Sequence, residues 1–324
     1  MDRRTFCGAL AGIGLAGAWP RGSAAQEAFP ARPIRLVVPF ASGSDMDAMA
    51  RALAEKIADN VRWTLVIDNV PGANGNLGLE DVAKSPPDGY TIGLGHTSNL
   101  TVNPALPAAM AVDPLLDLVA ISQVSSQAQL LVVAGSSKFA ALKDLVDAAR
   151  AKPDALRMGS PGKGTMGHLA GELLQQRAGV RWRHVPAKDT PSALKDLLGK
   201  RTDFCFTNLR AATALIDKGL VRAVAVTSPR RLASKPDVAA IAEAYAGFDA
   251  TTWTGIVAPA KLSKVRVFEI NIEVQHALER KDMQEWLAAD GIIGVGGPPQ
   301  NFGEYVRAEH FKWGALIKSS GLKL

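Results

Sequence analysis

Two short stretches of the chain combine serine, threonine, glycine and lysine directly before a helical pattern, and these residue types bind small anions. The first runs from Pro39 to Asp47 and the second from Ser160 to His168. A helix that begins in such a turn leaves up to four backbone N–H groups without intrahelical partners, and its first turn carries a partial positive charge. Each stretch therefore predicts a carboxylate site, although an ordinary strand-to-helix turn can have the same residues.

The first turn contains Gly43 and Ser44 ahead of a helix that we expect to begin near Asp45. Glycine lets the backbone approach a ligand closely. Ser44 is placed to cap the helix, and Asp47 has the spacing of a capping box. The turn therefore offers free N–H donors and a positive helix end to an anion.

The second turn has the order Gly162-Lys163-Gly164-Thr165. A nucleotide-binding P-loop requires Gly-x-x-x-x-Gly-Lys-Ser/Thr, so the ATPase interpretation is excluded. Lys163 either reaches an anion or lies in solvent. We expect His168 to form a hydrogen bond at the helix start and not to bind a metal.

A third polar turn, with Thr97, Ser98 and Asn99, follows another predicted strand. Hydroxyl and amide groups just beyond a strand end lie where α/β sheets bind their ligands. Three such turns, contributed by two lobes, would form one cleft.

Motifs of catalysis are absent from the sequence. It contains no Gly-x-Ser-x-Gly, His-Glu-x-x-His or Cys-x-x-Cys pattern, and its five histidines lie far apart. We therefore expect no catalytic residue, metal or cofactor. Cys205 lies in a short apolar strand pattern and is expected to be a buried, unreactive thiol. The net charge of +6 comes from scattered lysines and arginines, which gives no support to nucleic-acid binding.

Apolar runs alternate with helical patterns along the chain, which is typical of parallel α/β sheets. The run at residues 34–40 is almost continuously apolar, as in a strand covered on both faces. Helices are expected from Asp45, after the turn at residues 71–76, after Thr165, at 142–150, at 265–278 and at 302–318.

Residues 1–25 have the order of a secretory signal peptide: a basic head, an apolar run and a small-x-small cleavage site before Gln26. The pair Arg3-Arg4 allows the twin-arginine export route as well as the general secretory route. We therefore expect the mature protein to be soluble in the periplasm.

The sequence resembles the Bug family, the extracytoplasmic solute receptors of tripartite tricarboxylate transporters. The similarity covers almost the whole mature chain. It rests on the order and spacing of several short segments, namely residues 32–40, 69–76, 87–91, 164–165, 168–173, 196–199 and 225–228.

The resemblance implies a two-lobed α/β fold of the type II periplasmic-binding-protein class, with a ligand cleft between the lobes. It also implies a small carboxylate as ligand and membrane transporter subunits as partners. Carried over by position, the ligand contacts would be Ser42, Gly43, Ser44, Asp47, Thr97, Ser98, Asn99, Lys163, Gly164, Thr165 and His168.

Two departures from the family pattern bear on the ligand. Asp45 adds a carboxylate at the mouth of the anion site, where it would repel an acid or hold the amino group of an amino-acid-like ligand. Thr207 stands where an aspartate is common after the strand at 204–206, and we include both residues in the predicted site.

We expect residues 28–126 plus 251–324 to form one lobe and residues 127–250 the other, in a monomeric, non-enzymatic protein. Two alternatives remain open at this point. One is a sensory receptor for a membrane signalling partner, which would use the same cleft. The other is a periplasmic hydrolase with a serine or histidine in the cleft.

Overall fold

The chain folds into two α/β lobes, each built around its own sheet. The computed structural model describes residues 29–106 and 110–322. The strands are β1 (Ile34–Val38), β2 (Leu65–Asn69), β3 (Thr91–His96), β4 (Leu118–Gln127), β5 (Gln129–Ala134), β6 (Arg157–Ser160), β7 (Arg183–Pro186), β8 (Phe204–Asn208), β9 (Val221–Val226), β10 (Thr252–Pro259) and β11 (Ile292–Gly294).

Nine helices of the described residues cover the sheets. They are α1 (Asp45–Val61), α2 (Asn76–Lys84), α3 (Leu142–Ala151), α4 (Met166–Ala178), α5 (Thr190–Leu198), α6 (Leu209–Asp217), α7 (Lys264–Glu279), α8 (Lys281–Ala289) and α9 (Pro299–Ser320). Within this part of the chain no helix is both long enough and apolar enough to cross a membrane.

The first lobe contains the six-stranded sheet β11-β4-β10-β3-β1-β2, and the second lobe the five-stranded sheet β7-β6-β8-β5-β9. The strand β1 pairs in parallel with β2 and β3, and β6 pairs in parallel with β7 and β8. The remaining pairs are antiparallel. Both sheets are therefore mixed, whereas parallel sheets were predicted. The reason is that β10 enters the first sheet, and β5 the second, from the opposite lobe, so each runs antiparallel to its neighbours.

The helices form where apolar side chains recur at helical spacing. In α1, Met49, Leu53 and Ile57 are buried against the first sheet. In α4, Leu169 and Leu173 are buried in the core of the second lobe. This amphipathic packing fixes each helix against its sheet, so that α1 begins in the first predicted turn and α4 in the second.

The polypeptide passes between the lobes three times. The strand β4 continues into β5 with only Ala128 between them, and the chain returns before β10. The last helix, α9, also spans both lobes. Its residues Phe302 and Val306 pack with the first lobe, whereas Trp313 packs with the second.

Candidate functional site

Two neighbouring cavities lie between the lobes where the predicted turns meet. The first, which we call the lysine chamber, has a volume of about 440 Å³. It is lined by Phe40, Asn74, His96, Thr97, Ser98, Val102, Asn103, Leu106, Lys163, Gly164, Thr165, Met166, Leu169 and Thr252.

The second cavity, which we call the aspartate chamber, has a volume of about 380 Å³. It is lined by Phe40, Ser44, Asp45, Met46, Met49, His96, Ser125, Gln127, Gln129, Pro161, Thr165, Met166, Gly167, Asn208, Thr252, Trp253, Thr254 and Ile292. The two chambers share five residues and therefore form one cleft. A larger cavity of about 500 Å³ lies on the first lobe beside α7 and α9, but none of the predicted residues lines it.

The first turn is held in shape by Asp47. Its buried carboxylate accepts hydrogen bonds from Arg51 Nε at 2.9 Å, Gly43 N at 2.9 Å and Asn69 Nδ2 at 3.1 Å. The guanidinium of Arg51, then the Gly43 amide, holds the pKa of Asp47 well below its ordinary range. In a capping box, Asp47 would accept a hydrogen bond from the N–H of the capping residue, Ser44. Here it accepts one from the N–H of Gly43 instead. Its carboxylate fixes the backbone that faces the cleft.

Ser44 and Asp45 are the predicted residues of this turn that line the cleft. Ser44 caps α1, its hydroxyl accepting a hydrogen bond from Asp47 N at 3.3 Å. Ser42 and Gly43 are exposed beside the cleft, and Gly43 has a φ of +81°, which favours glycine.

The second turn is built on a pair of histidines. His168 Nδ1 accepts a hydrogen bond from Gly164 N at 3.1 Å, and its ring stacks on that of His184 with centroids 3.8 Å apart. His184 Nε2 lies 2.6 Å from Ser160 Oγ. Burial, reinforced by His168 and Lys163, lowers the pKa of His184 to about 3, so this ring is neutral at physiological pH.

Thr165 completes this turn and lines both chambers. Its hydroxyl donates to Gly162 O at 2.8 Å and accepts from His168 N at 3.4 Å, which caps α4. Lys163 and Gly164 line the lysine chamber, and Lys163 is exposed. Among the described residues, no carboxylate forms a salt bridge with Lys163.

The third turn is largely buried, since Thr97 and Asn99 are almost inaccessible to solvent. Residues 98–102 form a π-helical turn. The Thr97 hydroxyl bonds to both the N–H (2.7 Å) and the carbonyl (3.2 Å) of Trp253, and Asn99 accepts from His96 N at 2.9 Å. Ser98 Oγ lies 2.9 Å from His96 Nδ1, and burial lowers the pKa of His96 to about 4. Thr97 and Ser98 line the lysine chamber, whereas Asn99 is fully buried behind it.

Thr207 is fully buried in β8 and lines neither chamber, and its hydroxyl has no hydrogen-bond partner among the described residues. The following residue, Asn208, lines the aspartate chamber and caps α6. Cys205 on the same strand is buried, which raises the pKa of its thiol to about 12.

Several cleft residues were not predicted from the sequence. They are Ser125 and Gln127 of β4, Gln129 of β5, Thr252 and Thr254 of β10, His96 at the end of β3, and Phe40 just after β1. The members of two pairs, Ser125 and Gln127 on β4 and Thr252 and Thr254 on β10, lie two residues apart and therefore on the same face of their strand, a signal that the turn motifs do not contain.

An ion pair joins the lobes beside the aspartate chamber. Arg210, at the start of α6 in the second lobe, donates to Asp290 of the first lobe at 3.1 Å. Asp290, and at longer range Asp45, raises the pKa of Arg210. Asp45 therefore interacts electrostatically with a cation of the other lobe.

Comparison with known proteins identifies the family. The family described as tripartite tricarboxylate transporter family receptor matches residues 49–322. Protein BugT of Bordetella pertussis is 32% identical over 98% of this chain and 98% of its own length. The structure of Rpa4515 from R. palustris with adipate is 32% identical, with a TM-score of 0.72 over 90% of this chain and 98% of that chain.

MatC from Rhodopseudomonas palustris with bound malate is 26% identical, with a TM-score of 0.68 over 89% of this chain and 100% of that chain. These likenesses confirm the resemblance and the two-lobed α/β fold class inferred from the sequence. The chain belongs to the receptor family of the tripartite tricarboxylate transporters.

Proposed function

We propose that the protein captures a small carboxylate-bearing solute in the cleft, and that the two lobes close over it. One observation carries this proposal: the capped starts of α1 and α4, one from each lobe, open on the same cleft. Each helix start offers backbone N–H donors and a partial positive charge to an anion. Lys163 adds a full positive charge beside the second helix.

Two of the related structures support the same ligand class, since one contains adipate and the other malate. Both are carboxylates. Of the predicted residues, we propose Ser44, Thr97, Ser98, Gly164 and Thr165 as the ones closest to the solute, because they line the chambers.

The other predicted residues have a supporting part in this proposal. Ser42 and Gly43 flank the mouth, and Asp47, Asn99 and His168 hold the backbone of the turns through the hydrogen bonds described above. Thr207 lies behind Asn208 in the sheet. Lys163 and Asp45 are the charged lining residues of the lysine chamber and the aspartate chamber.

We further propose that the receptor acts as a monomer in the periplasm, without catalysis, and delivers its solute to membrane subunits of the transporter. The proposed lobes are residues 28–126 plus 251–324, and 127–250. The strand content of the two sheets supports this division, except that the end of α9 packs with the second lobe.

A thermal-shift screen tests the ligand class. A ligand that binds only the native state raises the apparent melting temperature in proportion to the logarithm of its concentration above Kd. We expect carboxylates to give such shifts, and sugars and free amines to give none. A shift with sugars alone would contradict carboxylate capture.

A further inference from the structure

The two chambers of the cleft differ in charge. The lysine chamber contains one cationic side chain, Lys163, and no carboxylate among its described lining residues. The aspartate chamber contains one carboxylate, Asp45, and no cationic side chain among its described lining residues. A ligand that spans both chambers therefore meets a positive end and a negative end.

Arg210, the cation of the other lobe whose charge Asp45 influences, is already paired. Arg210 forms its ion pair with Asp290, so two carboxylates share one guanidinium at this side of the cleft. One negative charge remains unbalanced there. A second carboxylate on the ligand would be placed next to it, and like charges in contact at an interface disfavour binding strongly.

The aspartate chamber nevertheless has uncharged hydrogen-bonding groups available. Gln129 as a residue is 7% exposed, it lines the cavity, and its side-chain amide forms no hydrogen bond among the described residues. Ser125 and Thr254 bond to each other at 2.7 Å, and Gln127 donates to Asp290 O at 3.1 Å. An amide at a cavity wall that no protein group engages is available to bond to a ligand.

We propose that the solute carries a single carboxylate, held at Lys163 and the start of α4, and at its far end a hydrogen-bond donor without negative charge, an ammonium or an amide, that lies between Asp45 and Gln129. This inference rests on the proposed function and narrows its ligand class. It distinguishes the protein from a receptor for symmetrical dicarboxylates. An ammonium or a primary amide is the kind of far group that the chamber can bind.

The test uses ligands matched in length. Succinate, adipate and suberate are titrated by calorimetry against the monoamides of the same acids and against the corresponding ω-amino acids. We expect the best monoamide and the best ω-amino acid to bind about tenfold or more tightly than the matched diacid. Asp45→Asn should improve diacid binding, and Gln129→Leu should weaken monoamide binding without changing diacid binding.

Glu285→Gln is the matched control for charge, because it removes an exposed carboxylate of the same lobe that lines neither chamber. This control variant should leave the affinities for the diacids and for the monoamides unchanged. Diacids that bind as tightly as both matched series would overturn this inference and leave carboxylate capture intact. The absence of binding by every ligand in all three series would overturn both.

Discussion

Replacing Glu309 with leucine should destabilise the protein, because this carboxylate connects the cores of both lobes. It is buried in α9 and accepts hydrogen bonds from Trp253 Nε1 at 3.2 Å and Trp313 Nε1 at 2.9 Å. Trp253 belongs to the core of the first lobe and Trp313 to that of the second. The ammonium of Lys312 pairs with the same carboxylate and also bonds to Asp249 O at 2.9 Å.

The loss in free energy of unfolding can be estimated from the groups that leucine would leave without a partner. Two buried indole N–H groups would lose their acceptor, at about 1–3 kcal/mol each. The largely buried ammonium of Lys312 would lose its counter-charge, and breaking a buried ion pair costs about 3–5 kcal/mol in total. These losses overlap, since one side chain causes all of them. We therefore expect Glu309→Leu to lower the free energy of unfolding by about 3–5 kcal/mol.

Urea unfolding at pH 7, followed by tryptophan fluorescence, measures this change, because the two indoles are themselves the probe. Glu309→Gln keeps the side-chain volume and one hydrogen-bond acceptor, so it should lower the free energy of unfolding by less than Glu309→Leu does. Glu304→Leu replaces an exposed glutamate of the same helix and should stay within about 0.5 kcal/mol of the wild type. A loss below about 1 kcal/mol for Glu309→Leu would refute the view that this contact joins the lobes.

Three further outcomes are expected. Ser44→Ala and Thr165→Val should each cost about 0.5–2 kcal/mol of stability through the lost cap and should weaken carboxylate binding when calorimetry is done on folded protein; unchanged affinity in both would argue against the cleft. Arg210→Gln should enlarge the radius of gyration of the ligand-free protein in X-ray scattering by releasing one contact between the lobes, whereas Arg231→Gln, within the second lobe, should leave it unchanged. Because burial lowers the pKa of His184, the folded state binds fewer protons than the unfolded state, so stability should fall as the pH drops below about 6.5. That fall in the urea midpoint between pH 7 and pH 5 should be smaller in His184→Gln, and an equal fall would show that this ring is not responsible.

The sequence predicted the parts of the fold that rest on local patterns. The start of α1 at Asp45 and the start of α4 after Thr165 follow from a capping residue before a run of apolar side chains at helical spacing. The strand β1 was predicted because both of its faces are covered by helices, which leaves an almost continuous apolar run. The helix predicted at 142–150 begins as expected at Leu142, although Ala141 before it offers no side-chain cap.

The sequence did not predict what depends on the meeting of distant segments. The antiparallel direction of β5 and β10 arises because each enters its sheet from the other lobe, which no local pattern encodes. In the same way, Gln129 directly precedes the apolar run of residues 130–134, and it lines the cleft only because the chain crosses between the lobes there. The electrostatic interaction of Asp45 with Arg210 could not be predicted either, since Arg210 lies in the other lobe.

Hydrogen exchange measured with and without ligand tests capture between the lobes most directly. The ligand is the carboxylate from the series above that raises the melting temperature most. We predict that the amides of residues 43–46 in the first lobe and 163–166 in the second become protected together, and that residues 301–307 beside the separate cavity of the first lobe do not change. Protection confined to one lobe, or centred on residues 301–307, would contradict the account.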